Sequence, residues 1–148
     1  MKIAIGCDHG GFVLKGQLIK YLEQNNNQFK DCGTYNTDSC DYPDYAEKVA
    51  QAVLHEGFDR GILICSTGIG ISIAANKIKG IRCALCHDVY SAKYTRYHND
   101  ANVLAMGAKI IGEGLMTEIV SAFLNSEFEG GRHQRRVDKI TKIEESNL

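Results

Sequence analysis

The chain has 148 residues, of which 44% are hydrophobic and 24% charged, with one proline and a formal charge of -1 from 17 basic and 18 acidic side chains. That length and apolar content support one core in a single domain over residues 1–148, and they exclude collagen, coiled coil and disorder. The even charge balance is no footprint for nucleic acid or anionic membrane, and with neither an apolar run of membrane length nor a cationic leader the chain reads as an untargeted cytoplasmic protein.

Short apolar runs alternate with segments of helical period, which predicts an α/β domain on a mostly parallel sheet. Ile3 to Cys7 reads as the first strand, and the next helix carries Leu14, Leu18 and Leu22 on one face. A weaker strand ends near Cys32-Gly33. The polar stretch Thr34 to Asp41 leads to Tyr42-Pro43, where proline suits the first turn of a helix with Val49, Val53 and Leu54 inward. Gly61 to Cys65 is the clearest buried strand. The turn Ser66 to Gly70 feeds a helix predicted over Ile71 to Lys77. Ile81 to Cys86 is the fourth strand, Val89 to Tyr97 a polar helix, and Asn102 to Met106 the fifth strand. A helix with Leu115, Ile119, Val120 and Phe123 on one side follows. After Gly130-Gly131, Arg132 to Glu145 forms a tail helix whose narrow stripe of Val137, Ile140 and Ile143 can close its own domain or dock on a partner.

Strand ends carry the reactive residues: Cys7-Asp8-His9, Cys65-Ser66-Thr67 and Cys86-His87-Asp88. Ligands of open parallel sheets bind at those ends, beside the starts of the following helices. Cys65 therefore has two readings. It is either a structural cysteine finishing a core strand or a thiolate base or nucleophile among converging amides, with Thr67 as a hydroxyl relay. The turn matches neither the P-loop nor the dinucleotide fingerprint, so a nucleotide is disfavoured. With no secretory signal, the six cysteines read as reduced thiols, most of them inert packing.

Cys83 and Cys86 have the spacing of a zinc or haem-attachment motif, but side chains three apart on a strand face opposite ways and cannot share a metal. No metal is expected. His9 precedes two glycines at a helix start where a phosphate could be received; His98, Asn99 and Asp100 close a polar segment far away in sequence. His55 and His133 rank lower as candidates. Arg132 and Arg136 share one face of the tail helix and could hold a phosphate or simply be solvated.

Together, Cys7-Asp8-His9-Gly10-Gly11, Asp41-Tyr42-Pro43, the run from Cys65 through Gly68, Gly70 and Asn76 to Lys77, His98-Asn99-Asp100 and Gly130-Gly131-Arg132-His133 resemble type B ribose-5-phosphate isomerase. That family also includes allose-6-phosphate and galactose-6-phosphate isomerases. The resemblance implies a Rossmann-like three-layer sandwich with a five-stranded parallel sheet and a C-terminal tail helix. It further implies a homodimer or dimer of dimers with shared active sites, a sugar-phosphate substrate, and neither metal nor organic cofactor. By resemblance Cys65 is the base moving a proton between C1 and C2, Thr67 assists it, and the amides of Ser66, Gly68, Ile69 and Gly70 hold an enediolate. His98 opens the sugar ring, Asp8 and Tyr42 lie near the sugar hydroxyls, and His9, Asn99, Lys109, Arg132 and Arg136 lie near the substrate and its phosphate, partly from a neighbouring subunit.

The chain departs from the family pattern at Ser66, where glycine is usual, and at Lys109, where many members carry an arginine whose bidentate fork an ammonium lacks. Ile71 stands where a second branch places a glutamate base, which leaves Cys65 as the base. The expected activity is interconversion of ribose 5-phosphate and ribulose 5-phosphate. Its rivals are the same reaction on a six-carbon sugar phosphate, a non-catalytic sugar-phosphate sensor, and a cysteine hydrolase, which would need a histidine beside Cys65.

Overall fold

A computed structural model describes residues 1–147. Five strands, β1 (Lys2–Cys7), β2 (Gln28–Asp31), β3 (Arg60–Cys65), β4 (Cys83–Leu85) and β5 (Val103–Gly107), form one sheet in the order β2-β1-β3-β5-β4, with every pairing parallel. The helices are α1 (Phe12–Gln24), α2 (Tyr42–His55), α3 (Ile69–Ala75), α4 (Val89–Asn99), α5 (Glu113–Leu124) and α6 (Arg132–Ser146). This is the predicted three-layer α/β sandwich. Among the described residues no helix is long and apolar enough to cross a membrane.

Alternation along the strands sorts the core into two layers. Ile3, Ile5, Ile62, Ile64, Leu104 and Met106 face one side, where Leu14, Leu18 and Leu22 of α1 and Met116, Ile119 and Phe123 of α5 cover them. Ala4, Leu63, Val103 and Ala105 face the other side, under Val49 and Ala50 of α2 and Ile71 and Ala75 of α3. Residues on this second face are smaller, and α2 comes in close: a Cβ on Gly6 or Gly61 would lie 2.9 or 2.7 Å from a Val49 methyl. Leu18, Leu22 and Phe123 are fully buried, each contributing about 1.5–3 kcal/mol of transfer free energy.

Two elements and two helix faces differ most from the sequence expectation. α3 begins at Ile69 rather than Ile71, because Gly68 adopts a left-handed φ of 76° and starts the helix early; it ends at Ala75 rather than Lys77. β4 is only Cys83–Leu85, since Ile81 is turned back onto the carbonyl of Ile78 and the Arg82 amide is taken by Asn102 Oδ1. On α5 it is Met116 that is buried, while Leu115 is 38% exposed. The tail helix divides: His133 and Val137 are buried, closing the domain against α4, but Ile140 and Ile143 are exposed. Cys83 and Cys86 belong to opposite core layers, as strand geometry requires.

Candidate active site

β1 and β3 are neighbours whose chain connections run to opposite edges of the sheet, β1 toward β2 and β3 toward β4 and β5. The crevice beyond their carboxyl ends is therefore the topological switch point, where open α/β sheets bind ligands. β1 delivers Asp8, a buried carboxylate whose Oδ1 accepts the amides of Gly10 at 2.9 Å and Gly11 at 3.2 Å and so caps the short turn at His9–Gly11. β3 delivers Cys65, buried at 4% exposure, whose Sγ accepts the amide N–H of Gly68 at 3.1 Å.

That hydrogen bond depends on Gly68. Its left-handed φ reverses the chain so that its N–H points back at the sulfur, and a Cβ there would lie 2.7 Å from the carbonyl carbon of Met106. The next residues complete the turn. Thr67 is exposed, and its Oγ1 accepts the Ile69 amide at 3.2 Å, which leaves its hydroxyl proton free to donate outward. Ser66 places its hydroxyl against Gly10, where a Cβ would overlap it, so the side chain that departs from the family pattern packs on the β1 turn.

The rest of the crevice is assembled from separate loops. Amides of Ala108 and Lys109 donate to the carbonyls of Cys65 and Ser66 at 2.8 and 3.0 Å, which fixes the exposed Lys109 beside the turn. Tyr42, 40% exposed at the start of α2, lies across Gly70, where a Cβ would come within 2.8 Å of the ring. His9 is exposed and accepts the Cys40 amide at Nδ1, 3.2 Å away, so in the neutral ring the proton sits on Nε2. The structure thus brings Asp8, His9, Tyr42, Cys65, Ser66, Thr67, Gly68, Ile69, Gly70 and Lys109 to one edge. Four other cysteines are held as inert thiols: burial pushes Cys7 up to about 12 and Cys86 up to about 11, and it raises Cys32 and Cys83 as well.

A second cluster lies on α4 and α6. The His98 ring stacks on His133 with centroids 4.1 Å apart and planes at 10°, and the edge of Tyr94 meets His98 at 5.0 Å. Behind it, the fully buried Arg96 donates to Asp100 Oδ1 at 2.8 Å and to the Ala101 carbonyl at 2.6 Å, while Arg82 donates to the Asn99 carbonyl at 3.0 Å. These bonds fix the backbone on which His98 and Asn99 stand. Arg132 and Arg136 are exposed at the start of α6 and flank His133, whose pKa is lowered by burial first and then by the charges of His98 and Arg132. His133, which ranked lower than His98 from sequence, is buried against the His98 ring.

Ligand atoms of His98, Glu129 and His133 all lie within 4.8 Å of one another. A metal bound by imidazole sits in the ring plane, and two rings stacked at 10° cannot both contain one ion, so this trio does not fit a metal without reorientation. Among the described residues His98 and Asn99 make no hydrogen bond or ring contact with Cys65; they line a 370 Å³ cleft with Leu85, Tyr90 and Tyr94, and Leu85 Cδ1 lies 2.6 Å from where a Cβ on Gly68 would stand. The histidine beside Cys65 that a hydrolase needs is not His98 of the same chain.

Residues 3–140 match the family model described as Ribose/Galactose Isomerase. The chain belongs to the ribose/galactose isomerase family. It is 51% identical over 144 residues to ribose-5-phosphate isomerase B of Escherichia coli strain K12, covering 97% of each chain. It is 49% identical to ribose-5-P isomerase B of Listeria innocua over 99% of each. Ribose-5-phosphate isomerase B of Clostridium thermocellum superposes with a TM-score of 0.98 at 50% identity, covering all of both chains. The likeness to type B ribose-5-phosphate isomerases drawn from the motifs is thereby borne out, as is the five-stranded parallel sheet.

Proposed function

We propose that the chain interconverts ribose 5-phosphate and ribulose 5-phosphate through an enediolate, with Cys65 as the base. One observation carries this reading. Cys65 Sγ lies at the sheet switch point, just before the start of α3, with the Gly68 N–H directed at it. The family membership and the names of the relatives support it.

The chemistry follows from the groups present. Removing the C2 proton of the open-chain aldose leaves an electron pair that shifts into a C1–C2 double bond, and the carbonyl oxygen at C1 becomes an oxyanion. Preoriented amides at the turn stabilise that charge without reorganising, and one such donor is typically worth about 10² to 10³ in rate. The proton held on Cys65 returns to C1 while the O2 hydroxyl proton passes to the O1 oxyanion, giving the ketose. Thr67, with a hydroxyl proton free to donate, assists at the sugar oxygens. Asp8 and Tyr42 contact sugar hydroxyls; His9, Asn99, Lys109, Arg132 and Arg136 hold the substrate and its phosphate.

Ring opening falls to His98, supplied by a second copy. The lack of any hydrogen bond or ring contact between His98 and Cys65 within one chain supports a shared site in a homodimer or dimer of dimers, and so does the apolar surface of α3 beside the Cys65 turn, where Ile69 and Ile73 are 51% and 55% exposed. The same reading makes the chain one catalytic domain acting in the cytoplasm, a compartment that suits six free cysteines. Turnover of ribose 5-phosphate, allose 6-phosphate and galactose 6-phosphate in deuterated water tests it: the five-carbon substrate is expected to isomerise fastest and take up carbon-bound deuterium. Preference for a six-carbon substrate would reassign the substrate, and absence of any exchange would favour a sensor.

A further inference from the structure

Lys15 has no place in the chemistry above, yet its ammonium is buried inside α1 at 2% exposure. A buried ammonium persists only where its hydrogen-bonding protons are met. Here Nζ donates to Asp31 Oδ1 at 2.6 Å and to the Thr34 carbonyl at 2.6 Å, and it lies 5.2 Å from the centre of the Tyr35 ring. Asp31 in turn accepts the Gly33 amide at 2.9 Å through the same Oδ1, and its carbonyl accepts the Tyr35 hydroxyl at 3.0 Å. The start of the loop from Thr34 to Asp41 is thus held by Lys15 and Asp31 on one side and, on the other, by the backbone bonds of Gly33 and Thr34 with Cys7, at 2.7 and 2.8 Å.

The far end of that loop touches the crevice twice. The Cys40 amide donates to His9 Nδ1 and selects the tautomer that presents an Nε2 proton, and Tyr42 immediately beyond seats its ring on Gly70. Between the two ends the loop's own side-chain bond is the local one from the Asp38 amide to Asn36 Oδ1. Its path is set at the anchors.

We infer that Lys15 is a positioning residue for substrate binding: by holding the Thr34 carbonyl it sets the course of the loop, and through the loop the tautomer of His9 and the seat of Tyr42. The catalytic turn at Cys65 hangs from β3 and β5 and is untouched by this anchor. The consequence is a split between binding and turnover. The kinetic half of this inference rests on the isomerase reading, but its spectroscopic half does not.

The test compares Lys15→Met, the charge-balanced double variant Lys15→Met/Asp31→Asn, and Lys30→Met, which breaks an exposed ion pair with Glu56 on the same strand as Asp31. The double variant buries no unpaired charge and serves if the single variant does not fold. Ring nitrogen spectra of His9 and steady-state kinetics on ribose 5-phosphate are read on folded protein. In the Lys15 variants we expect His9 to pass from one tautomer to a mixture and KM to rise about tenfold, with kcat within about twofold, while Lys30→Met changes neither. A folded double variant with the wild-type His9 tautomer and KM would show that Lys15 only stabilises the fold and would overturn the inference. So would a fall in kcat at unchanged KM. If wild-type protein does not turn over ribose 5-phosphate, the isomerase reading fails while the His9 spectra still decide this one.

Discussion

Replacing Gly68 with alanine perturbs the turn at the point where backbone conformation and chemistry coincide. Its φ of 76° costs a non-glycine residue about 1–2 kcal/mol. The new methyl would also lie 2.7 Å from the Met106 carbonyl carbon and 3.0 Å from the Gly107 nitrogen, backbone atoms of a central strand that cannot swing aside. Overpacking of that kind adds about 1–3 kcal/mol. Gly57 supplies the control, since it has a φ of 77° with nothing within 4 Å of a Cβ, so Gly57→Ala meets the conformational cost alone. We expect Gly57→Ala to lose about 1–2 kcal/mol in urea unfolding at unchanged activity, and Gly68→Ala to lose about 2–5 kcal/mol. Because the Gly68 amide also moves off Cys65 Sγ, the base loses a hydrogen-bond donor worth about 1.5–3 kcal/mol when the acceptor is charged, and kcat should fall about ten- to a hundredfold. A folded Gly68→Ala protein with kcat within threefold of wild type would refute the role assigned to this turn.

Three further outcomes follow from the same geometry. If Cys65 of one subunit works with His98 of the next, mixing Cys65→Ala and His98→Ala proteins should restore about a quarter of wild-type activity once subunits exchange, because half the dimers are mixed and each has one intact site; exchange seen by native mass spectrometry without rescue would contradict the shared site. The folded pKa of His133 is lowered from 6.5, so above about pH 6.5 its contribution is fully present, and as pH falls toward the folded value the unfolded chain takes up a proton that the buried ring resists. Melting temperature should therefore drop below pH 6.5 less steeply in His133→Gln than in wild type, and identical pH profiles would contradict the burial argument. Since Cys83 and Cys86 face opposite layers and His98 and His133 are stacked, activity should survive excess chelator, and restoration by added zinc or manganese of activity lost there would count against this.

Much of this architecture is written in local patterns. Ile3 to Cys7 and Gly61 to Cys65 are short apolar runs, and Leu14, Leu18 and Leu22 repeat at helical spacing, so strands and helices are legible along the chain. Cys65 was legible for the same reason, as the last residue of an apolar run before two glycines. What escaped depends on partners distant in sequence. Met116 rather than Leu115 turns inward because of how α5 rotates onto the sheet, and β4 shortens because the Asn102 side chain takes the Arg82 amide. His133 stacks on a ring 35 positions earlier, and the contact of Cys40 with His9 spans 31 positions, so no periodicity records either. Lys15 looks like any polar residue on an amphipathic helix until Asp31 and Thr34 close over it.

The central claim is that Cys65 carries the proton between C1 and C2, and exchange with solvent measures it most directly. Wild-type and Cys65→Ala proteins are each saturated with ribose 5-phosphate in deuterated water, and deuterium at the substrate and product carbons is followed by NMR, with binding checked separately by calorimetry. We expect Cys65→Ala to bind the sugar phosphate with near wild-type affinity and to lose both isomerisation and exchange by several orders of magnitude. A Cys65→Ala protein exchanging at a tenth of the wild-type rate or more would show that another group is the base.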